Sequence, residues 1–294
     1  MISRDELRPF LTAFAGVATF SLMDALMKGA SLAVGAYSAM AVRSVIGFAI
    51  ALPLWRLAGW QRPSRVALKL HAIRGVVGTG MALTFFHGLT LLPMAEAIAL
   101  SFIAPLIALY LAVVVLGERI GRPAMWASLL GLAGVVVIAA NRIGDGAAEE
   151  RALWGVASIL FSALLFAWNL ILQRQQALVA RPFEVASFQN GIVGAILLLF
   201  TPWFLTWPDG EALGWIAGAA LLAVLSAALM SWAYARAEAQ VLVPLEYSAF
   251  LWAALLGWLV FAEALTVPTV AGAALIIAAC WIAAPRKRTE QSQV

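Results

Sequence analysis

Charged residues are scarce in this sequence: Asp, Glu, Lys and Arg make up 12% of its 294 residues, whereas 64% are hydrophobic. Soluble domains carry about 25% charged and about 45–50% apolar residues. No soluble core can hide such an apolar excess, because polar residues must cover its surface. The composition therefore excludes a water-soluble fold and predicts a chain that lies mostly in a lipid bilayer.

Cysteine and histidine are also scarce, with one cysteine and two histidines in the chain. Cys280 has no second cysteine to pair with, so no internal disulfide can form. The sequence contains no HExxH zinc motif, no P-loop and no metal-ligand cluster around His71 or His87. The GVVGTG run lies inside an apolar segment, where helix packing explains it better than phosphate binding. We therefore expect no metal, no cofactor and no enzymatic activity.

Long apolar stretches are what the chain has in abundance. Crossing the hydrocarbon layer takes roughly 20 residues as a helix, and stretches of that length recur along the whole sequence. They predict ten transmembrane helices, at 9–29, 36–56, 70–91, 94–116, 123–140, 152–172, 183–204, 212–235, 241–261 and 267–284. The expected fold class is therefore all-α integral membrane, without a separate soluble domain.

Basic residues orient these spans. With the N-terminus inside, the outer side holds Lys28, Arg142 and Arg151, Arg43 lies within a span, and all other Lys and Arg residues fall inside. This positive-inside bias places the N and C termini in the cytoplasm. The net charge of +4 follows from the same bias, so we expect no nucleic-acid partner. The expected partners are the lipid bilayer and a small-molecule substrate.

An internal repeat relates the two halves of the sequence. A shift of 145 residues places Glu118 on Glu263, and APLIALYLAVVVLGERIGRP then reads like AFLWAALLGWLVFAEALTVP. Because each half has five spans, an odd number, the second half enters the membrane from the opposite side. The sequence therefore predicts two inverted five-helix repeats, at 1–145 and 146–294, the second ending in a short basic cytoplasmic tail. Secondary transporters place their substrate site near the membrane midplane between such repeats.

Three segments resemble the EamA branch of the drug/metabolite transporter superfamily: LGER before a proline-led helix, its counterpart FAEA, and MAVRSVIGFAI in the second span. The resemblance covers about residues 9–284. The second half departs from the pattern in having Ala262 where the first half has Gly117. The resemblance implies an exporter or facilitator of small metabolites in a bacterial-type inner membrane, most similar to exporters of aromatic and neutral amino acids.

The transported compound and the energy source have more than one reading. We expect amino acids, moved by alternating access around a central cavity between the repeats. The alternative is a nucleotide-sugar, lipid-linked or drug-like compound carrier of the same fold. A carrier of phosphorylated compounds needs basic groups, and Lys28 and Arg43 are the clear membrane cations. Proton coupling through Asp24 or Glu246 and facilitated diffusion both fit the sequence.

Charged side chains inside a span are costly, roughly 2.5–3.5 kcal/mol at the bilayer centre, and so mark candidate sites. Asp24 and Lys28 are four residues apart and share one helix face. Either Lys28 reaches outward and pairs with Asp24, or Asp24 faces a watery cavity. Asn169, at the repeat-equivalent position of Asp24, favours the cavity. Arg43 matches an arginine common in the second helix of the EamA branch. We expect it to form a structural or gating pair, and direct contact with the substrate is the alternative.

Prolines single out the fourth and ninth spans. Pro105 cannot donate to the carbonyl of Ser101, and Pro244 cannot donate to that of Gln240. Freed carbonyls inside a membrane need a neighbouring polar group or a water-lined cavity. We therefore expect Ser101 to line the cavity and both prolines to have gating or structural roles.

The ninth span continues with a glutamate and a tyrosine. Glu246 can meet a substrate ammonium, or it pairs with Arg236 or another buried cation. Tyr247 can stack on an aromatic or aliphatic part of the substrate.

A histidine and further aromatic residues complete the predicted cavity. His87 flanks the outer turn between the third and fourth spans, where it either titrates near neutral pH or is simply hydrogen-bonded at the interface. Trp232 stands at its repeat-equivalent position, and Trp168 stands beside Asn169. The predicted substrate-binding residues are Asp24, His87, Ser101, Trp168, Asn169, Trp232, Tyr234, Glu246 and Tyr247, with Lys28, Arg43, Pro105 and Pro244 as gating or structural residues.

Overall fold

The computed structural model describes residues 4–116, 122–140, 147–234, 236, 242 and 245–283. Every regular element in these segments is a helix, which confirms the all-α class for this part of the chain. The helices are α1 (Arg4–Leu57), α2 (Arg65–Leu91), α3 (Met94–Ser101), α4 (Ala104–Leu116), α5 (Arg122–Ala140), α6 (Ala147–Ala177), α7 (Pro182–Leu199), α8 (Thr201–Phe204), α9 (Gly210–Tyr234), α10 (Ala249–Phe261) and α11 (Val267–Ala283).

Helix α1 contains the first two predicted spans. Its backbone leaves the helical region at Gly35, where φ is 81° and ψ is 149°. Only glycine adopts such a positive φ without a steric penalty from Cβ. Gly35 therefore divides α1 into an N-terminal arm (4–34) and a C-terminal arm (36–57), close to the boundary that the sequence predicts.

The helices have the length and surface of membrane spans. Five segments are long and apolar enough to cross a bilayer: Arg8–Leu57, Arg65–Leu91, Glu150–Gln173, Pro182–Leu199 and Gly210–Ala233. Four shorter apolar segments accompany them: Met94–Ala108, Ser128–Ala140, Ala249–Phe261 and Val267–Ile282. Trp126, Trp203 and Trp258 are each at least 65% exposed, as expected of a surface that faces lipid and not water.

The predicted fourth span, 94–116, is two helices and not one. Helix α3 ends at Ser101 and α4 begins at Ala104. The Phe102 N–H donates to the carbonyl oxygens of both Ile98 and Ala99, at 3.3 and 3.2 Å. The last turn of α3 is therefore narrower than an ideal α-helical turn, and the helix ends there. Pro105 then occupies the first turn of α4, where a missing N–H costs nothing. The predicted ninth span is likewise interrupted, because a turn at Tyr247 precedes α10.

Close helix packing holds the bundle together. The N-terminal arm of α1 packs against α9 and the C-terminal arm against α7, while α2 packs against α6 and α5 against α11. A Cβ atom added to Gly134 of α5 would lie 2.6 Å from the carbonyl oxygen of Gly272 in α11. The two backbones therefore touch, as small residues allow in membrane helices.

Candidate functional site

The two interrupted spans meet at an aromatic pair. Phe102 follows the end of α3 and Tyr247 precedes α10, and their ring centroids lie 5.2 Å apart with the planes at 89°. The shift of 145 residues places these two positions on each other. The Cys280 thiol of α11 donates to the carbonyl oxygen of Phe102 at 3.3 Å. The breaks in the two spans are thus brought together in the bundle.

A largely buried ion pair lies at the N-terminal end of α3. The Lys28 ammonium, 3% exposed, pairs with Glu263 Oε1 and donates to the Leu92 carbonyl oxygen at 2.7 Å. Glu263 Oε2 accepts from the backbone N–H of Met94 at 2.7 Å. We call these four residues the Lys28–Glu263 junction. It ties together α1, the turn after α2, the start of α3 and the segment between α10 and α11.

The backbone after α10 presents Glu263 to this junction. Ala262 has a left-handed conformation with φ of 53°, and the Glu263 N–H donates to the Gly257 carbonyl at 3.0 Å. The carboxylate then lies over Gly257, where an added Cβ would be 2.6 Å from Glu263 Oε2. The Glu263 carboxylate also stabilises the positive N-terminal end of the α3 dipole.

The pairing of Lys28 with Asp24, one of the two readings of their spacing, is wrong. Lys28 is four residues from Asp24 but is satisfied by Glu263 and by the Leu92 carbonyl. Asp24 is 2% exposed, and among the described residues it has no ion pair within 4 Å. The charge that acts on it is that of Arg43.

Arg43 and Asp24 lie in the two arms of α1, on either side of Gly35, and their opposite charges interact. The Arg43 Nε atom is buried without a hydrogen-bond partner among the described residues. The two opposite charges thus influence each other but stand farther apart than a direct ion pair. Neither group therefore has its hydrogen bonds occupied by the other.

Two of the predicted polar residues have partners within the bundle. Asn169 is 5% exposed, and its Oδ1 accepts from Arg74 Nε at 3.0 Å. The Ser101 hydroxyl donates to the Ala97 carbonyl of its own helix at 2.8 Å. Asn169 is therefore occupied by an arginine of α2, and Ser101 ends α3 next to the aromatic pair.

The remaining predicted residues either have exposed side chains or are not fully described by the structure. His87, Trp168, Trp232, Glu246 and Pro105 have exposed side chains. The guanidinium of Arg236 stacks on Trp232 at 4.2 Å from the ring centroid. Pro244 and the side chain of Tyr234 fall outside the described residues.

Sequence reasoning missed the partner of Lys28 and a second polar cluster. Glu263 served only as a marker of the repeat, since 235 residues separate it from Lys28. The second cluster, around His71 and Arg74, had one detectable signal. Their spacing of three residues places both side chains on one face of α2.

Together, the apolar helices, the interrupted spans and the buried charges define a multi-pass membrane protein. The chain belongs to the EamA-like transporter family, whose model matches residues 7–140 and again 153–284. The family resemblance seen in the sequence is therefore confirmed.

Relatives of this chain are named as transporters. The pseudopaline exporter CntI of Pseudomonas aeruginosa is 26% identical over 268 residues, which cover 89% of this chain and 90% of the exporter. A riboflavin transporter of Rhizobium johnstonii is 28% identical over 286 residues, covering 90% of this chain and 86% of its own. A solved crystal structure is similar with a TM-score of 0.61 and 25% identity, covering 94% of this chain and 96% of its own.

Proposed function

We propose that the protein is a secondary transporter that exports small metabolites, amino acids above all, by alternating access around a central cavity. The observation that carries the proposal is the meeting of two interrupted spans at Phe102 and Tyr247. Interrupted helices form the substrate sites of many transporters, because irregular backbone is tolerated in a bilayer only inside protein or beside water. Membership of a transporter family and the names of the relatives support transport and not catalysis.

The cavity lies between two inverted repeats, residues 1–145 and 146–294. The helix packing supports this division. In the repeat, the first span corresponds to the sixth and the third corresponds to the eighth. A contact between the first and eighth spans should therefore have a counterpart between the sixth and third spans, and both contacts are present. The pairs formed by the second and seventh spans, and by the fifth and tenth, map onto themselves.

Both termini lie in the cytoplasm and the protein resides in a bacterial inner membrane, as the basic residues and the bacterial relatives favour.

Opposite charges suit the zwitterionic part of an amino acid. Asp24 can accept from the substrate ammonium, and Arg43, with its unpartnered Nε, can donate to the carboxylate. Phe102 and Tyr247 offer ring surfaces to the substrate side chain. A phosphorylated substrate is less well served, because Glu263 neutralises Lys28 and Arg43 faces the charge of Asp24.

A larger, drug-like aromatic compound is the second candidate. The observation that favours it is the riboflavin transporter among the relatives. Such a compound would use the same aromatic pair but has no need of both charges.

Counterflow in proteoliposomes tests the proposal. Purified protein is reconstituted, the vesicles are loaded with unlabelled compound, and uptake of labelled phenylalanine, leucine or riboflavin is followed with and without a pH gradient. Saturable counterflow of the amino acids supports the first candidate, and counterflow of riboflavin alone supports the second. Folded protein that exchanges none of these compounds contradicts the proposal. Faster uptake in the presence of the pH gradient would show that transport is coupled to protons.

A further inference from the structure

A strongly basic surface lies where the end of α1 meets the starts of α2 and α7. This basic surface consists of five exposed side chains: Arg56, Arg62, Arg65, Lys69 and Arg181. The segments 56–69 and 174–183 contain no Asp or Glu, and no carboxylate of a described residue lies within 4 Å of these cations. The charge of this surface is therefore not balanced by ion pairs within the described part of the protein.

The loop between α1 and α2 holds two of these cations in place. The guanidinium of Arg56 stacks on the Trp60 ring at 3.6 Å from the centroid, and Trp60 also contacts Trp55, with the ring centroids 5.6 Å apart. From the start of α7, Arg181 Nη1 donates to the carbonyl oxygen of Gly59 at 3.3 Å. A guanidinium has five N–H donors. Two guanidinium groups from different helices are therefore positioned at adjacent loop residues with donors left for an external acceptor.

Arg65 and Lys69 belong to the face of α2 that points away from the bundle. The opposite face, with His71, packs against α7. After Lys69 the outer face continues with Ile73 and Val76, which are 38% and 61% exposed, because residues four and seven positions apart share one side of a helix. At 1.5 Å per residue, Val76 lies about 10 Å along the helix from Lys69. One helix face therefore carries two cations at its start and exposed apolar side chains beyond them.

This face matches the two ends of a phospholipid. In a helix that crosses a bilayer, exposed apolar side chains such as Ile73 and Val76 lie against acyl chains. Cationic side chains at the helix start then extend to the depth of the headgroup phosphates. The Arg65 guanidinium can offer paired donors to phosphate oxygens, and the Lys69 ammonium adds a point charge. Trp60, which is 47% exposed beside them in sequence, is a residue type enriched at the same depth.

The net charge of the surface favours an anionic lipid over a zwitterionic one. A zwitterionic headgroup would bring its own cation next to five positive side chains, whereas an anionic headgroup brings negative charge alone. The positive-inside bias accounts for the number of basic residues in the loops. It does not account for two cations within α2, in line with the side chains of that helix that face lipid.

We propose that the basic surface binds an anionic phospholipid of the surrounding bilayer, with the headgroup phosphate at Arg65 and Lys69 and an acyl chain along Ile73 and Val76. The three remaining cations of the surface, at the end of α1, in the loop and at the start of α7, add positive charge around the headgroup. The lipid is held on the outer side of the bundle, so its binding does not depend on which compound the protein transports.

Native mass spectrometry of the full chain tests the proposal. Protein stripped of lipid in detergent is titrated with dioleoylphosphatidylglycerol, or with dioleoylphosphatidylcholine, which has the same acyl chains and no net charge. We expect phosphatidylglycerol to bind more tightly, and Arg65→Gln with Lys69→Gln to weaken its binding by about tenfold or more. Arg8→Gln with Arg151→Gln removes two charges from exposed positions outside the basic surface and should leave the binding unchanged. Equal binding of the two lipids, or equal losses in the two double variants, would overturn the proposal.

Melting temperatures distinguish a bound lipid from a soluble phosphate. Added phosphatidylglycerol should raise the melting temperature of the unchanged protein, because a ligand of the folded state stabilises it, and should raise that of Arg65→Gln with Lys69→Gln less. Without lipid the two proteins should melt alike, since both side chains are exposed. Glycerol 3-phosphate, which carries a phosphate but no acyl chains, should have no effect. A rise with glycerol 3-phosphate equal to that with the lipid would contradict a lipid as the occupant.

Discussion

Lys28 and Glu263, 235 residues apart in the sequence, form a largely buried ion pair that joins the first helix to the segment before the last helix. Each partner also binds backbone, Lys28 at the Leu92 carbonyl and Glu263 at the Met94 N–H. Removing one partner of a buried pair leaves an uncompensated charge, which costs about 3–5 kcal/mol. The junction therefore stabilises the arrangement in which the two halves of the chain meet at this end of the bundle.

Neutralising one side of the junction should destabilise the protein. Lys28→Met leaves the Glu263 carboxylate buried without its counter-charge, and we expect a loss of about 3 kcal/mol. The unfolding of purified protein in detergent, followed by heat or denaturant, measures the change.

The double variant Lys28→Met with Glu263→Gln removes both charges and keeps an acceptor for Met94. It should be more stable than Lys28→Met alone. Lys69→Met, at an exposed position of α2, is the matched control and should change stability little. If the double variant loses as much stability as the single variants Lys28→Met and Glu263→Gln lose together, the result contradicts the pairing.

Ala262→Gly should stabilise the protein. A left-handed backbone costs an alanine roughly 1–2 kcal/mol, and Ala262 has φ of 53°, whereas the equivalent residue of the first half is Gly117. After the greater flexibility of glycine in the unfolded chain is subtracted, we expect a gain of about 0.5–1 kcal/mol, seen as a higher melting temperature. Ala264 has no positive φ, so Ala264→Gly should not stabilise the protein. Equal gains in melting temperature in the two variants would show that the left-handed backbone at Ala262 is not the cause.

Gly134→Ala should weaken the contact between α5 and α11. The added methyl group would lie 2.6 Å from the Gly272 carbonyl oxygen, and overpacking of this kind costs about 1–3 kcal/mol. Gly214→Ala in α9 meets no atom within 4 Å and should be neutral or slightly stabilising. Thermal unfolding of both variants measures the difference. A Gly134→Ala protein with an unchanged melting temperature would be inconsistent with backbone contact between α5 and α11.

Much of the architecture could be predicted from the sequence, because it depends on local properties. Apolar length locates the helices, and Pro105 marks the place where the fourth span is interrupted, although the sequence predicts a single helix over 94–116 and the structure has two. The partner of Lys28 could not be predicted in the same way. Helical spacing shows that Asp24 and Lys28 share a face, but the competing acceptor, Glu263, is brought near only by the packing of both halves.

The polar cluster at His71 illustrates the same limit of local reasoning. His71 and Arg74 share a face of α2, which the sequence reveals. Their partners Gln176 and Glu184 come from two other helices, and nothing in their spacing indicates that they converge. Asn169 was predicted to line the cavity, because it aligns with Asp24 in the repeat; in the structure it accepts from Arg74.

Transport should depend on the aromatic pair and not on the exposed face of α10, the helix that follows Tyr247. Tyr247→Ala removes the ring that meets Phe102, and we expect counterflow to fall at least tenfold, about 1.4 kcal/mol in binding terms. Leu259→Ala, at a position of α10 that is 61% exposed, is the control and should transport normally. Equal rates in the two folded variants would remove Tyr247 from the site.

Asp24 and Arg43 should both be needed when the substrate is an amino acid. Asp24→Asn removes the partner of the ammonium, and Arg43→Gln removes that of the carboxylate, so each should weaken amino-acid counterflow at least tenfold. Riboflavin, if it is transported, should be affected less, because it carries neither group. Amino-acid counterflow that survives both substitutions would contradict the zwitterion site.

The most direct test of alternating access is a distance measurement across the Lys28–Glu263 junction. Spin labels are attached at Leu32→Cys and Leu265→Cys, which are 53% and 49% exposed, in a chain whose one native cysteine is replaced by Cys280→Ser. Pulsed electron resonance in nanodiscs then gives the distribution of distances between the labels. We expect Lys28→Met to add or enlarge a population at longer distance, because the junction no longer holds the halves together. An identical single distribution with and without Lys28→Met would contradict it.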